Sequence, residues 1–166
     1  MVPLQLYLIR HGIAVERQQS REDTERPLTL KGRKQTSLVA KRLRQLDLKF
    51  DLLLTSPLLR ARQTAEIFQS EHLSSCLEIS ATLAPWGDFG DWLTWLEQWR
   101  QAERTSLGLV GHQPDLGEWA EILVWGEAKG GLALKKTGML GITLPEAGSP
   151  IGNSLLFWLT QPRLLL

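Results

Sequence analysis

Apolar runs alternating with helix-period segments constrain this chain most. LQLYLI (4–9), FDLLLT (50–55) and TSLGLVG (105–111) recur about fifty residues apart, each short and bounded by polar residues or turn formers. That is how strands covered on both faces read. Between them lie segments with helical spacing. Thr29 can cap a helix carrying Val39, Leu43 and Leu46 at i, i+4, i+7. Ser56-Pro57 reads as an N-cap and first-turn proline for a helix with Leu58, Ala61, Ala65 and Phe68 on one face. CLEIS (76–80) reads as a third strand, and Cys76 as a small hydrophobe near it. The loop APWGDFG leads into a helix with Trp92, Trp95, Leu96 and Trp99 on the core side. Pro114 opens another, with Leu116, Trp119, Ala120 and Leu123.

GMLGITL (138–144) and SLLFWLT (154–160), joined by the turn-rich PEAGSPIGN, predict a C-terminal antiparallel hairpin. The expected fold class is α/β: a single three-layer α/β/α domain over residues 1–166 with a mostly parallel central sheet. At 43% hydrophobic and 22% charged residues, the composition supports a folded core over long disorder.

Charge narrows the function. With 19 basic and 18 acidic residues, the net charge of +1 gives no broad field for gripping nucleic acid or an anionic membrane. Any bound anion must be held by a local cluster. One cysteine cannot form an intrachain disulfide, and no apolar run reaches the roughly 20 residues of a membrane span. The first nine residues lack a basic start and a small-residue cleavage site, so the expected setting is the cytoplasm.

A local cluster is available. Arg10-His11 closes the first strand and turns at Gly12, His112 closes the strand at 105–111, and Arg60 lies one turn into the helix after the second strand. In an open α/β sheet, ligands bind beyond the carboxyl ends of the strands, so these residues can meet in one crevice. Guanidinium forks match phosphate oxygens two at a time, and an imidazole can attack phosphorus to form a covalent intermediate. There is no Walker loop and no GxGxxG fingerprint, so a nucleotide cradle is not implied. A zinc site from the three histidines lacks HxxxH or HxH spacing, and His72 in SEHLSS reads as exposed.

The strand-terminal RHG at 10–12, RPLTLKG at 26–32, SPLLRARQTAE at 56–66 and VGHQPDL at 110–116 resemble, in order, the histidine phosphatase superfamily (phosphoglycerate mutase-like). They are most similar to its small SixA-type phosphohistidine phosphatase branch. SPxxRAxQTA is the most specific element. The resemblance implies that His11 is the nucleophile, that Arg10, Arg60 and His112 hold the phosphoryl group with Gly12 beside it, and that no cofactor or metal is required. Two arginines beside His11 should favour its free base.

Ester-cleaving members of the family use a carboxylic acid whose Glu-bearing segment has no counterpart here. Asp88 and Glu16 are the candidates, and both also fit ordinary loop carboxylates. A phosphoramidate leaves more readily than an alkoxide, so the implied substrate is a phosphohistidine-bearing protein of a phosphorelay or phosphocarrier type. The alternatives are a small-molecule phosphomonoesterase of the same superfamily and a non-catalytic phosphate- or phosphoprotein-binding module. Residues 13–28 and 81–91 are expected to frame the site, with Arg17, Arg21, Arg26, Asp88 and Asp91 available for partner selection. Residues 16–26 read as a solvated loop, and Arg62 as a solvated helix residue. The oligomeric state is left open.

Overall fold

The computed structural model describes residues 3–20 and 22–166, so Arg21 lies outside the described residues. Six strands form one mixed sheet: β1 (Leu4–Arg10), β2 (Leu52–Thr55), β3 (Leu77–Ile79), β4 (Ser106–Gly111), β5 (Met139–Leu144) and β6 (Leu155–Thr160). Their order is β3-β2-β4-β1-β5-β6. β3, β2, β4 and β1 are parallel, whereas β5 pairs antiparallel with both β1 and β6. The expected hairpin is therefore present, and it extends the sheet beyond β1.

The helices cover both faces. α1 (Leu30–Gln45) and α2 (Leu59–Ser70) bury Val39, Ala40, Leu43, Ala61, Ala65 and Phe68 against Tyr7, Ile9, Leu53 and Val110. On the other face, α3 (Phe89–Trp99) and α4 (Asp115–Trp125) bury Trp92, Leu96, Leu116 and Trp119 against Leu6, Leu8, Leu54 and Leu109. The alternation of side chains along β1 and β2 thus feeds two cores, which explains why these strands are apolar on both faces along most of their length.

Several local expectations shift. Thr29 does cap α1, accepting from the Gly32 amide at 2.9 Å, but Leu46 lies past the last helical turn and is exposed. α2 begins two residues later than expected, with Leu58 in the capping position and no side-chain cap. Ser56 is engaged elsewhere. Of the tryptophan row on α3, Trp92 alone is fully buried; Trp95 and Trp99 stack on each other at the edge of the core, 5.8 Å between ring centroids. Cys76 is exposed, because β3 is a short edge strand with little covering it. Arg62 is half-buried on α2. Among the described residues, no helix is long and apolar enough to cross a membrane.

Candidate active site

The parallel topology aims β1, β2 and β4 at one end of the sheet, and Arg10, His11, Arg60 and His112 all line one hollow there, of about 370 Å³. The His11 and His112 rings stand 5.3 Å apart between centroids. β1 and β4 are hydrogen-bonded neighbours with Arg10 opposite Gly111, so the next residue of each strand is a histidine entering the same space.

His11 is nearly fully buried. Its Nδ1 donates to the Gly12 carbonyl at 2.7 Å, which fixes the tautomer and leaves the lone pair on Nε2. That lone pair receives Arg60 Nε at 3.3 Å. The ring's pKa is pushed down to about 3, chiefly by burial; His112, Arg60 and Arg10 add to this, while the bond to Gly12 opposes it. Desolvation outranks the arginines expected to lower it. Gly12 follows without a side chain because a Cβ there would stand 2.6 Å from Thr36 Oγ1. Its amide donates to Thr64 Oγ1 at 2.9 Å, and the Thr64 hydroxyl donates to the Arg60 carbonyl at 2.8 Å. The turn after β1 is thereby joined to the helix carrying Arg60.

His112 is buried too, and its pKa is lowered to about 4, by burial first and then by Arg60. Its Nε2 lies 2.7 Å from Ser56 Oγ, and the same oxygen accepts the Leu58 amide at 3.2 Å. The residue expected to cap α2 instead orients an imidazole. We assign the Ser56 hydroxyl proton to His112 Nε2, which places the ring proton on Nδ1, a buried atom with no partner among the described residues. Arg10 donates from Nη1 to the Leu134 carbonyl at 2.8 Å, and its buried Nε has no such partner either.

Sequence reasoning missed Asp23. The segment read as a solvated loop contains two short 3-10 turns, and the second delivers Asp23 to the hollow. Its carboxylate meets three guanidinium groups: Arg26 at 2.9 Å, Arg17 at 3.3 Å and Arg60 at 3.4 Å. Arg60 also donates to the Asp23 carbonyl at 2.9 Å. Burial alone would raise the pKa of Asp23; Arg60, Arg26 and Arg17 outweigh it and hold the carboxyl below its ordinary range. Asp115, at the start of α4, also lines the hollow. Burial raises its pKa, although it accepts the Trp86 amide at 2.8 Å. The two carboxyl groups are thus pushed in opposite directions. The hydrogen-bond pattern of residues 16–26 could not be read from an aperiodic charged segment; the only signal was its density of arginine and acidic residues.

The candidate acids lie elsewhere. Asp88 caps α3, accepting the Asp91 amide at 2.9 Å, and neither it nor Asp91 lines the hollow. Glu16 is exposed ahead of the first 3-10 turn and does not line it. Both framing segments do reach the site, through Arg17, Asp23 and Arg26 on one side and Pro85 and the exposed Trp86 on the other. His72 is exposed, as expected. Among the described residues, no three or more His, Cys, Asp or Glu side chains converge as a metal site.

The model of the histidine phosphatase superfamily, branch 1, matches residues 6–121, most of the chain and every strand and helix that feeds the hollow. The chain belongs to the histidine phosphatase superfamily. Within that superfamily it is 49% identical to an uncharacterized protein of Picosynechococcus sp., covering 98% of this chain and 99% of that one. It is 29% identical to the phosphohistidine phosphatase SixA of Escherichia coli, over 90% of this chain and 91% of the relative. The solved structure of the protein histidine phosphatase SixA complexed with tungstate superposes with a TM-score of 0.86 at 29% identity, covering 98% of this chain and 100% of that one. The likenesses to the Picosynechococcus protein and to the SixA structure run past residue 121 and include the C-terminal strands that the sequence motifs do not reach.

Proposed function

We propose that this chain is a phosphohistidine phosphatase that works through a covalent phosphohistidine on His11. The observation that carries the reading is the state of His11: a buried, neutral ring whose Nδ1–H is tied to Gly12 and whose Nε2 lone pair meets Arg60 in a hollow shared with His112 and Arg10. A neutral imidazole with a fixed tautomer is an activated nucleophile at neutral pH. The tungstate complex of the SixA relative supports the same reading, because tungstate is a tetrahedral oxyanion like the phosphoryl group.

His11 Nε2 attacks phosphorus in line, the Nε2–P bond forms, and the P–N bond of the substrate phosphohistidine breaks; the substrate ring, already protonated on its other nitrogen, takes the bonding pair and leaves as neutral imidazole. Arg10, Arg60 and the Nδ1–H of His112 hold the equatorial oxygens, where charge accumulates. Water then attacks phosphorus, the Nε2–P bond breaks, and inorganic phosphate departs. Asp23 is the positioning residue for Arg60: its carbonyl and carboxylate hold the guanidinium beside His11. An imidazole departs more easily than an alkoxide, so a phosphohistidine-bearing protein is the favoured substrate over a sugar phosphate. The single cysteine, which precludes an intrachain disulfide, supports a cytoplasmic setting.

Brief exposure to a radiolabelled phosphohistidine donor followed by a quench tests this. Label retained on the wild-type chain, alkali-stable and acid-labile, and absent from His11→Ala together with all turnover, is the expected result. Reversible phosphate binding without label would make the chain a binding module instead, and full turnover by His11→Ala would remove the nucleophile assignment.

A further inference from the structure

A second hollow, of about 490 Å³, adjoins the first and shares Arg10 with it. Its wall carries Arg10, Lys135, Lys136 and Arg163 with Gln35 and Gln161, and none of its lining residues is acidic. Lys135, Lys136 and Arg163 form no ion pair with a described residue. In a chain of net charge +1, four cations on one wall are a local concentration without internal compensation.

The placement is built into the fold. Arg10 donates to the carbonyl of Leu134, the residue just before Lys135. The Thr137 amide lies 3.1 Å from the Arg10 carbonyl and 3.2 Å from that of His11, and Gly138 closes a turn onto the Lys135 carbonyl at 2.7 Å. Thr137 holds a left-handed backbone (φ 61°) within this turn. The two lysines therefore ride on a segment pinned to the strand that carries His11.

We propose that this hollow receives acidic side chains flanking the phosphohistidine of the protein substrate, and so selects that substrate by charge. This rests on the phosphatase reading of the neighbouring hollow. Because the two hollows meet at one guanidinium, the occupant of the second is continuous with the group bearing phosphate in the first. A residue of extended chain spans about 3.3–3.6 Å, so carboxylates one to three positions from the phosphohistidine reach it. The lysine heads are exposed, which suits a protein surface seated from outside.

The test compares three substrates: free phosphohistidine, a phosphohistidine peptide flanked by glutamates, and one flanked by serines. Lys135→Gln/Lys136→Gln should raise KM about tenfold for the glutamate peptide with kcat within about twofold, leave the other two substrates unchanged, and be rescued by Lys135→Arg/Lys136→Arg. The wild-type preference for the glutamate peptide should fade at about 1 M salt. Equal losses on all three substrates, or no wild-type preference, would overturn the proposal. If the wild type cleaves none of them, the phosphatase reading fails instead. The hollow is then judged by anisotropy of the labelled, unphosphorylated peptides: tighter binding of the glutamate peptide that the double glutamine variant loses supports it, and equal binding overturns it.

Discussion

Two parts of the chain build the site by different means. Residues 4–120 supply side chains: Arg10, His11, Arg60, His112 and Asp23 face the hollow from strand ends, a helix turn and a loop. Residues 127–138 supply backbone: the Leu134 carbonyl takes Arg10, and the Thr137 amide lies against the carbonyls of Arg10 and His11. The difference teaches where each part is vulnerable. A side chain that stabilises developing charge is lost with one substitution. A backbone group survives substitution at its own position and is disturbed only through whatever holds the segment in place.

That holder is Glu121. Its side chain is fully buried on α4, and its two carboxylate oxygens accept the amides of Lys129, Gly130, Gly131 and Leu132, the Gly130 and Leu132 bonds at 2.8 and 2.6 Å. Burial alone would raise its pKa, and the four amides outweigh it, keeping the group ionised. Gln113 adds a second tie, donating from Nε2 to the Leu132 carbonyl at 3.1 Å. Gln113 follows His112 directly, so this tie joins the supporting segment to the strand end that carries one of the two imidazoles.

The largest effect should come from the side-chain part. Arg60→Ala removes the cation that touches His11 and one of the three guanidinium partners of Asp23 together, and kcat should fall on the order of 10²–10³, as for the loss of one charge-stabilising donor. Steady-state kinetics on phosphohistidine decide it; a fall of less than about tenfold would place the main charge clamp elsewhere in the hollow. The backbone part should respond differently. Glu121→Ala strands four amides, so Tm should drop by roughly 5–10 °C while kcat at 25 °C falls less than about tenfold. If it instead abolishes turnover at unchanged Tm, Glu121 acts on the chemistry and the division between the two parts does not hold.

This division also explains what the sequence disclosed. His11, His112 and Arg60 were legible because each stands just past an apolar strand whose direction the alternation of elements already implied. The layers and the hairpin were legible for the same reason. Asp23 was not, since three-dimensional contacts with Arg17, Arg26 and Arg60 give it its place, and nothing in ERQQSREDTER distinguishes one carboxylate from another. Ser56 misled because Ser-Pro fits a helix start so well; the tertiary demand of His112 for a hydroxyl overrode it. Glu121 sits at an ordinary helical position, and only the glycine-rich GEAKGG five residues on hints that backbone amides need an acceptor.

The smallest effect concerns how the site is kept dry, and it separates burial from the arginines. His11 and His112 have folded pKa values of about 3 and about 4, against an ordinary 6.5. In the unfolded chain both rings take up protons below about pH 6.5. In the folded chain they resist until much lower pH, so the unfolded state binds more protons and stability falls as pH drops from 6.5 toward 4. Two such groups give a slope of roughly 2 kcal/mol per pH unit near pH 5. Asp23 and Glu121 are displaced downward as well, so their contribution is also lost on acidification, but only from the ordinary carboxylate range down. Asp115, raised by burial, has the opposite sign, and the imidazoles dominate the window from about pH 6.5 to 5. Urea denaturation across that window should show His112→Asn halving the slope. Arg60→Ala should leave most of it, because burial is the first cause of both shifts and the arginine a lesser one. A slope that vanishes in Arg60→Ala would mean that the side-chain part of the site tunes its histidines by charge, and that the packing around β1 and β4 contributes little to their neutrality.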